Sequence, residues 1–242
     1  MSVFRFKKFE VVNERSAMKV NTDGVLLGAA MTILPSDKFL LDIGTGTGTI
    51  ALMAAQRLSA ISSDEVTVDA IDIDEPSASE AAANFAASPW TQTLHAHHSS
   101  LDEFAAENHL RYDLIFSNPP YFEDSLIAPD ARKSTARHTS VGLSYRDIFE
   151  FARGHLSESG RVSLVLPSDL ENDLTRYARM SGMHLFRMLR VRTVPRKSPS
   201  RIIAEFSSRR PSQLIEELLT IQDEGKYTEE YLSLTREFYL FA

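Results

Sequence analysis

The chain has 242 residues, of which 43% are hydrophobic and 24% are charged, and it contains no cysteine. This length fits one large domain whose core needs no metal or disulfide support. The absence of cysteine excludes a disulfide framework, a zinc–thiolate site and a thiol nucleophile. No hydrophobic run approaches the roughly 18–20 residues of a membrane span, and the first residues lack the hydrophobic stretch of a signal peptide. The sequence therefore predicts a cytoplasmic protein outside the secreted and membrane classes.

Charge is distributed unevenly along the chain. The net charge of −7 argues by itself against a nucleic-acid-binding protein. However, residues 58–110 contain ten acidic and no Lys or Arg side chains, whereas residues 182–212 contain eight Lys or Arg and one acidic side chain. An acidic half and a basic strip favour a polyanion that approaches one side of the protein. A solvated surface with uneven charge is the alternative.

Hydrophobic periodicity and turn residues predict strands that alternate with helices. In chain order, the predicted elements are helix 22–34, strand 39–43, helix 50–58, strand 66–71, helix 75–87, strand 94–98, strand 112–116, helix 145–156, strand 161–166, helix 168–180, two extended stretches at 185–194 and 201–206, and helix 227–238. This alternation predicts an α/β fold with a mostly parallel sheet, helices on both faces and a terminal hairpin. We expect a single domain, with an N-terminal arm and helix at 1–36, a parallel core at 37–182, and the hairpin and C-terminal helix at 183–242.

A glycine-rich loop follows the first core strand and opens a helix. It contains Asp42, Gly44, Gly46 and Gly48 in a D-x-G-x-G-x-G pattern. Glycine permits positive φ and close approach of the backbone to a ligand, and the N–H groups at the start of a helix favour an anion. The spacing differs from the dinucleotide pattern G-x-G-x-x-G and resembles motif I of S-adenosylmethionine-dependent methyltransferases. The alternative is a tight strand-to-helix turn without a ligand.

An acidic residue at the end of the second core strand can accept both ribose hydroxyls of a nucleoside. Asp72 follows the last hydrophobic residue of that strand directly, so we expect it to take this role. Asp74 fits the N-cap of the next helix instead. The assignment of Asp72 places the nucleoside at the carboxyl end of the sheet.

A second motif, Ser-Asn-Pro-Pro-Tyr-Phe at 117–122, follows the fourth core strand. Two prolines fix the backbone and remove two donors. The Asn118 carboxamide can accept one N–H group of an exocyclic amine, and the loop carbonyl of Pro119 can accept the other. These bonds localise the lone pair of the amine nitrogen, and Tyr121 offers a ring face for a planar base. The motif therefore predicts an amine-methylating site, and a proline-rich turn beside a core aromatic residue is the alternative.

Together, the two motifs resemble the amino-methyltransferases that act on adenine N6, guanine N2 or glutamine N5. More narrowly, the chain resembles the bacterial tRNA1(Val) (adenine(37)-N6)-methyltransferase family. The segments that carry this resemblance are 4–9, 17–28, 88–90, 117–121, 132–139 and 238–241. The resemblance implies a Rossmann-like class I methyltransferase fold with a seven-stranded sheet and an antiparallel last hairpin. It also implies S-adenosylmethionine as cofactor, tRNA as partner and no obligate protein partner.

The resemblance further implies which other residues serve each ligand. Lys19, Thr22 and Asp23 lie on the cofactor side, because the family's Lys-Val-x-Thr-Asp-Gly block lies over the cofactor. Ser100 stands near the position of an expected adenine-contacting aspartate. The positively charged candidates for tRNA are Lys7, Lys8, Arg132, Lys133, Arg137, Arg192, Arg196, Lys197 and Arg201. We expect no metal site at His95, His97 and His98, because a strand divides them between two faces and no acidic partner lies at ligand spacing.

The same motifs are compatible with other functions to different degrees. A protein glutamine or rRNA guanine methyltransferase shares both motifs, and the glutamine enzyme is expected to need no polyanion-binding surface. A NAD-dependent dehydrogenase or a non-catalytic nucleoside-binding module is disfavoured, because the glycine spacing differs and no hydride-transfer pairing is evident.

Overall fold

The computed structural model describes residues 2–120 and 142–242 of the chain. Its strands are β1 (Val3–Arg5), β2 (Glu10–Val12), β3 (Phe39–Ile43), β4 (Thr67–Asp72), β5 (Leu94–His98), β6 (Tyr112–Ser117), β7 (Leu156–Pro167), β8 (His184–Arg192), β9 (Arg201–Ser207), β10 (Ile215–Thr220), β11 (Gln222–Asp223) and β12 (Lys226–Tyr227). Its helices are α1 (Thr22–Ala30), α2 (Thr49–Ile61), α3 (Glu75–Ala86), α4 (Leu101–Glu107), α5 (Tyr145–His155), α6 (Glu171–Met180) and α7 (Glu229–Thr235), and a 3-10 turn (Ser168–Leu170) precedes α6.

The central sheet has eight strands in the order β10-β8-β9-β7-β6-β3-β4-β5. Only β9 runs antiparallel to its neighbours, β7 and β8, and all other pairs are parallel. The α/β class, the mostly parallel sheet and the antiparallel last hairpin are therefore confirmed. The sheet has one strand more than the seven expected, because β10 adds to the edge beside β8. Four of its six residues are exposed, so the segment lacks the buried alternation that identifies a strand in sequence.

Local sequence signals determine where several helices begin. The Asn21 side chain accepts from Gly24 N at the start of α1, and Asp74 accepts from Ser77 N at the start of α3, as predicted for Asp74. Helix α1 ends at Ala30, four residues before the expected boundary. The last helix is likewise shorter than predicted and follows the small β11–β12 hairpin.

Two hydrophobic cores lie on opposite faces of the sheet. One face packs against α1, α2, α3 and α7, and the other packs against α4, α5 and α6. Consecutive residues of β3 divide between them: Leu40 belongs to the first core, and Leu41 belongs to the second. This arrangement is a three-layer sandwich. Because helices cover both faces of the sheet, a ligand can reach it at the ends of the strands, where the loops lie. None of the helices in the described ranges is long and apolar enough to cross a membrane.

The N-terminal segment forms a β-hairpin with one buried face. Strand β1 pairs with β2, and the rings of Phe6 and Phe9 stack in the first core at a centroid distance of 4.5 Å. Lys7, in the turn, donates from Nζ to carbonyl oxygens of Arg236 and Ala242 at 2.5 and 2.7 Å. The hairpin is thus packed against the last residues of the chain.

A buried carboxylate joins three elements of the first core. Glu205 in β9 is fully buried and accepts from Thr32 N and Oγ1 after α1, from Ser163 Oγ in β7, and from Arg187 Nη1 in β8, at 2.8–3.0 Å. Arg187 also contacts Glu217 of β10. Glu205 therefore connects the antiparallel strands to the end of α1.

We expect Glu205→Ala to lower the free energy of unfolding by about 3–5 kcal/mol, because removing one partner of a buried ion pair leaves the other partners unsatisfied. The matched control is Glu216→Ala, which removes a half-exposed partner of Arg190 and should cost about 1 kcal/mol or less. Urea unfolding followed by circular dichroism measures both. Equal losses for the two variants would contradict this role for Glu205.

Candidate active site

The carboxyl ends of three neighbouring strands meet at one edge of the sheet. Strand β3 lies between β4 and β6, with Ile43 opposite Ile71 and Asp42 opposite Phe116. The Ser117 hydroxyl at the end of β6 donates to the Ile43 carbonyl at 2.6 Å. We call this edge, formed by the ends of β3, β4 and β6, the carboxyl edge. Ligands of open α/β sheets bind in this position.

The glycine loop turns the chain from β3 into α2. Gly44, Gly46 and Gly48 all have positive φ, at 72°, 57° and 80°, which explains the three glycines of the motif. The N–H group of Gly44 donates to the Ile71 carbonyl of β4 at 2.9 Å. A Cβ on Gly48 would lie 2.5 Å from the Phe85 ring. Gly48 is therefore also required for packing between α2 and α3.

Asp42 is a buried acid beneath the glycine loop. Its Oδ2 accepts from Thr45 Oγ1 at 2.8 Å, whereas its Oδ1 has no hydrogen-bond partner among the described residues. Burial, together with repulsion from Asp72, raises the pKa of Asp42 to about 7. A buried acceptor without a partner is costly, and an ammonium group in this position would satisfy it.

Asp72 ends β4 beside the loop. Its Oδ2 accepts from Gly46 N at 2.8 Å, and its Oδ1 accepts from Asp74 N at 2.9 Å. Each carboxylate oxygen has a second lone pair, so Asp72 can hold the loop and still accept hydroxyl groups. Burial is the largest influence on the pKa of Asp72 and raises it.

Asn118 lies buried at the carboxyl edge, directly after β6. Its Nδ2 donates to the thioether sulfur of Met18 at 3.5 Å. Pro119 is also buried, and Pro120 is partly exposed. The sheet therefore brings Asn118 and Pro119 to the same edge as Asp42, the glycine loop and Asp72. Tyr121 lies outside the described residues.

The segment at 13–21, which we call the strap, crosses the glycine loop before α1 begins. A Cβ on Gly46 would lie 3.4 Å from Ser16 Oγ and 3.6 Å from the Met18 carbonyl oxygen. Lys19 is exposed on the strap, and its Nζ donates to the Glu14 carbonyl at 2.7 Å. The structure thus places Lys19 on the strap, with its side chain directed to Glu14.

Two further cofactor-side candidates begin α1. Thr22 is its first residue and is exposed. Asp23 follows and pairs with Arg201 through Oδ2 and Nε at 2.7 Å. This ion pair fixes the start of α1 to β9. Asp23 therefore has a structural role in addition to its position at the border of the site.

Ser100 has a structural role that was not predicted for it. It is the N-cap of α4, where it forms a reciprocal capping box with Glu103. The Ser100 hydroxyl donates to Glu103 Oε2 at 2.8 Å. The hydroxyl proton of Ser100 is therefore engaged in this hydrogen bond of the cap.

Part of the basic strip borders the carboxyl edge. Arg201 stands opposite Pro167, the last residue of β7, and β7 runs parallel to β6. The connection from β8 to β9 therefore lies at the same end of the sheet as the carboxyl edge, beyond β7, with Arg196 and Lys197 exposed on it. Arg192 ends β8 and donates to Thr220 Oγ1 and to the Pro195 carbonyl, at 2.8 and 3.0 Å.

Two of the other predicted tRNA contacts lie in the N-terminal hairpin. Lys7 and Lys8 lie in the β1–β2 hairpin, where the Lys7 backbone N–H donates to Phe238 O. The remaining candidates lie outside the described residues and are Arg132, Lys133 and Arg137. Two other arginines of the strip, Arg187 and Arg190, are paired with glutamates.

Some contacts of the glycine loop and of the strands that lead to it were missed by sequence reasoning. A Cβ on Gly44 would lie 3.2 Å from Leu143 Cδ2, so a residue two positions before α5 also contacts the loop. Asp69, in the middle of β4, accepts from the Tyr112 hydroxyl at 2.8 Å and contacts His97 Nε2 at 2.9 Å. No group of three or more potential metal ligands occurs in residues 2–120 and 142–242. These contacts join distant segments, and no local pattern indicates them.

Comparison with known proteins identifies the family. Residues 16–180 match the family described as Methyltransferase small domain. A tRNA1(Val) (adenine(37)-N6)-methyltransferase of Bacteroides fragilis is 42% identical over 238 residues, which is 98% of this chain and 97% of the relative. One of Flavobacterium johnsoniae is 39% identical over 239 residues, covering 98% and 99%.

A solved structure shows the same fold. A predicted O-methyltransferase from Agrobacterium tumefaciens superposes with a TM-score of 0.67 at 14% identity, covering 89% of this chain and 96% of that one. The cofactor is S-adenosylmethionine, and the buried Oδ1 of Asp42 beneath a glycine turn fits its ammonium group. The chain thus belongs to the methyltransferase small domain family and, within it, to the tRNA1(Val) (adenine(37)-N6)-methyltransferase family.

Proposed function

We propose that this protein methylates the exocyclic N6 of an adenine in tRNA, with A37 of a valine tRNA as the target that the names of its relatives indicate. The observation that carries the proposal is the burial of Asn118 at the carboxyl edge, beside the glycine loop and Asp42. A tRNA substrate would place this activity in the cytoplasm.

The loop residues would hold the cofactor from two sides. S-adenosylmethionine, when bound, supplies an electrophilic methyl group. Asp42 Oδ1 is suited to its ammonium group, because this oxygen is buried and has no hydrogen-bond partner among the described residues. Asp72 is suited to the ribose hydroxyls, and Gly44 and Gly46 keep the loop free of side chains that would fill the space.

Asn118 would bind the acceptor amine. Its Oδ1 and the Pro119 carbonyl would each accept one N–H group of adenine N6, which concentrates the nitrogen lone pair opposite these two bonds. The methylated nitrogen then loses one proton. No strong base is needed, because the cationic product is acidic. Catalysis is therefore positioning and electrostatics.

The target base must leave its stack to reach a buried asparagine. Tyr121 is proposed to stack on the extruded adenine. The exposed side chains of Arg196 and Lys197 lie at the same end of the sheet as the carboxyl edge and would contact phosphates near the extruded base. Arg192 and Arg201 border the same surface, so this part of the basic strip is the proposed tRNA-docking surface.

Between pH 6 and pH 7 cofactor affinity should rise, because ionised Asp42 attracts an ammonium group more strongly than the neutral acid does. With a pKa of about 7 in the free protein, roughly a tenth of Asp42 is ionised at pH 6 and half at pH 7, so affinity should be about fivefold higher at pH 7. Isothermal titration calorimetry in buffers of different ionisation enthalpy measures the affinity and the proton released below pH 7. Asp42→Asn should abolish the proton release. A wild-type affinity that does not change with pH would contradict the assignment.

Asn118→Ala should lower methyl transfer by at least about 100-fold, because it removes a preorganised polar contact to the reacting nitrogen. S-adenosylmethionine affinity should change little. The measurement is single-turnover methylation of tRNA at saturating cofactor. As a control, Asn172→Ala in exposed α6 should retain the normal rate. A near-normal rate for Asn118→Ala would mean that this loop is only a structural turn.

The double variant Arg196→Ala and Lys197→Ala should weaken tRNA binding and reduce its dependence on salt. The slope of log affinity against log salt should fall by about 1 for each phosphate that the variant no longer neutralises. Arg179→Ala with Arg210→Ala is the matched control. It removes two exposed positive charges near His184. β8 begins at His184, so these charges lie at the opposite end of the strands from the carboxyl edge. Equal effects of the two double variants would place the tRNA surface elsewhere.

A further inference from the structure

A buried glutamate of α3 holds the strap by its backbone. Glu80 is 3% exposed, and its Oε1 accepts from Glu14 N and Arg15 N at 2.7 and 2.8 Å. Its Oε2 accepts from Ser16 N at 3.0 Å. Burial raises the pKa of Glu80, but the three backbone N–H groups outweigh this and lower it below its ordinary value. Glu80 is therefore ionised at neutral pH.

Neighbouring side chains of α3 extend this attachment in both directions. The hydroxyl oxygens of Ser77 and Ser16 lie 3.1 Å apart. Asn84 exchanges hydrogen bonds with the Val12 backbone, and its Nδ2 also donates to the Thr47 carbonyl of the glycine loop at 2.9 Å. One face of α3 thus fixes the strap relative to the cofactor loop.

The strap in turn reaches the methyl-accepting side of the site. Ser16 Oγ donates to the Met18 carbonyl at 3.0 Å, which continues the attachment toward Met18. Met18 Sδ accepts from Asn118 Nδ2 at 3.5 Å. An amide whose N–H group donates to this sulfur presents its oxygen on the other side. That orientation is the one in which Asn118 accepts from an amine.

We propose that Glu80 is a positioning residue for methyl transfer, which acts through the strap and Met18 to set the orientation of the Asn118 carboxamide. This inference rests on the proposed function. A carboxylate suits the role because its two oxygens accept all three N–H groups. The amide of a glutamine has one acceptor and would turn an N–H toward a strap N–H.

A double-mutant cycle tests the relay. The variants are Glu80→Gln, Met18→Leu and their combination, and Met18→Leu keeps the side chain apolar while it removes the sulfur acceptor. Each single variant should slow single-turnover tRNA methylation about tenfold, the scale of removing one hydrogen bond. Independent effects would multiply to about a hundredfold. A shared path should leave the double variant at about tenfold.

Cofactor affinity should distinguish the effect of Met18→Leu from that of Glu80→Gln. Met18→Leu should leave the S-adenosylmethionine dissociation constant within about twofold of wild type, because it changes the contact to Asn118. Glu80→Gln should raise that constant as well, since the strap also lies over Gly46. Glu230→Gln, an exposed change in α7, controls for the removal of a negative charge and should behave as wild type.

A hundredfold loss in the double variant would overturn the proposal and leave Glu80 as a structural anchor. Normal methylation by either single variant would also overturn it. If Glu80→Gln does not fold, Glu80→Asp keeps both acceptor oxygens one methylene shorter, and its coupling to Met18→Leu decides the question. A wild-type protein that binds S-adenosylmethionine but methylates no tRNA adenine would instead disprove the proposed function.

Discussion

Parallel pairing of β3 with β4 on one side and β6 on the other aligns the ends of three strands. Asp42, Asp72 and Asn118 belong to segments up to 76 residues apart in sequence, and this pairing brings them to one edge. A parallel sheet also requires a crossover after each strand, so each strand end becomes a loop that is free to bind a ligand. The position of the site therefore follows from the direction of the strands, and the loops determine its chemistry.

Buried polar groups fix the outer elements to this sheet. Glu205 joins β9 and β8 to the end of α1, and Arg161 in β7 pairs with the buried Asp37 ahead of β3 at 2.6 Å. Glu80 does the same for the strap. Each buried carboxylate is matched to N–H groups or an arginine in fixed directions, which hydrophobic packing alone does not provide. The cofactor loop is thus enclosed by segments whose positions are determined by directional bonds.

The sequence predicted those features whose cause is local. The glycines of the loop, the Asp74 cap and the alternation of strands and helices each depend on residues close together in the chain, so a pattern reveals them. The attachment of Ser16 to Glu80, the contact of Met18 with Asn118 and the ion pair of Asp23 with Arg201 join residues 64, 100 and 178 positions apart. No spacing rule indicates such pairs. The Ser100 cap is itself a local Ser-x-x-Glu pattern that was not predicted, and the weakly buried β10 lacks the alternation that identifies a strand.

The packing of the N-terminal hairpin on the last residues has a consequence for synthesis. Lys7 donates to a carbonyl oxygen of Ala242, which is added to the nascent chain 235 residues later. The sheet can begin to form as its strands emerge from the ribosome, but the hairpin that leads into the strap has its complete docking surface only after Arg236 and Ala242 have emerged as well. A nascent chain that still lacks these residues therefore has an N-terminal hairpin without part of its docking surface.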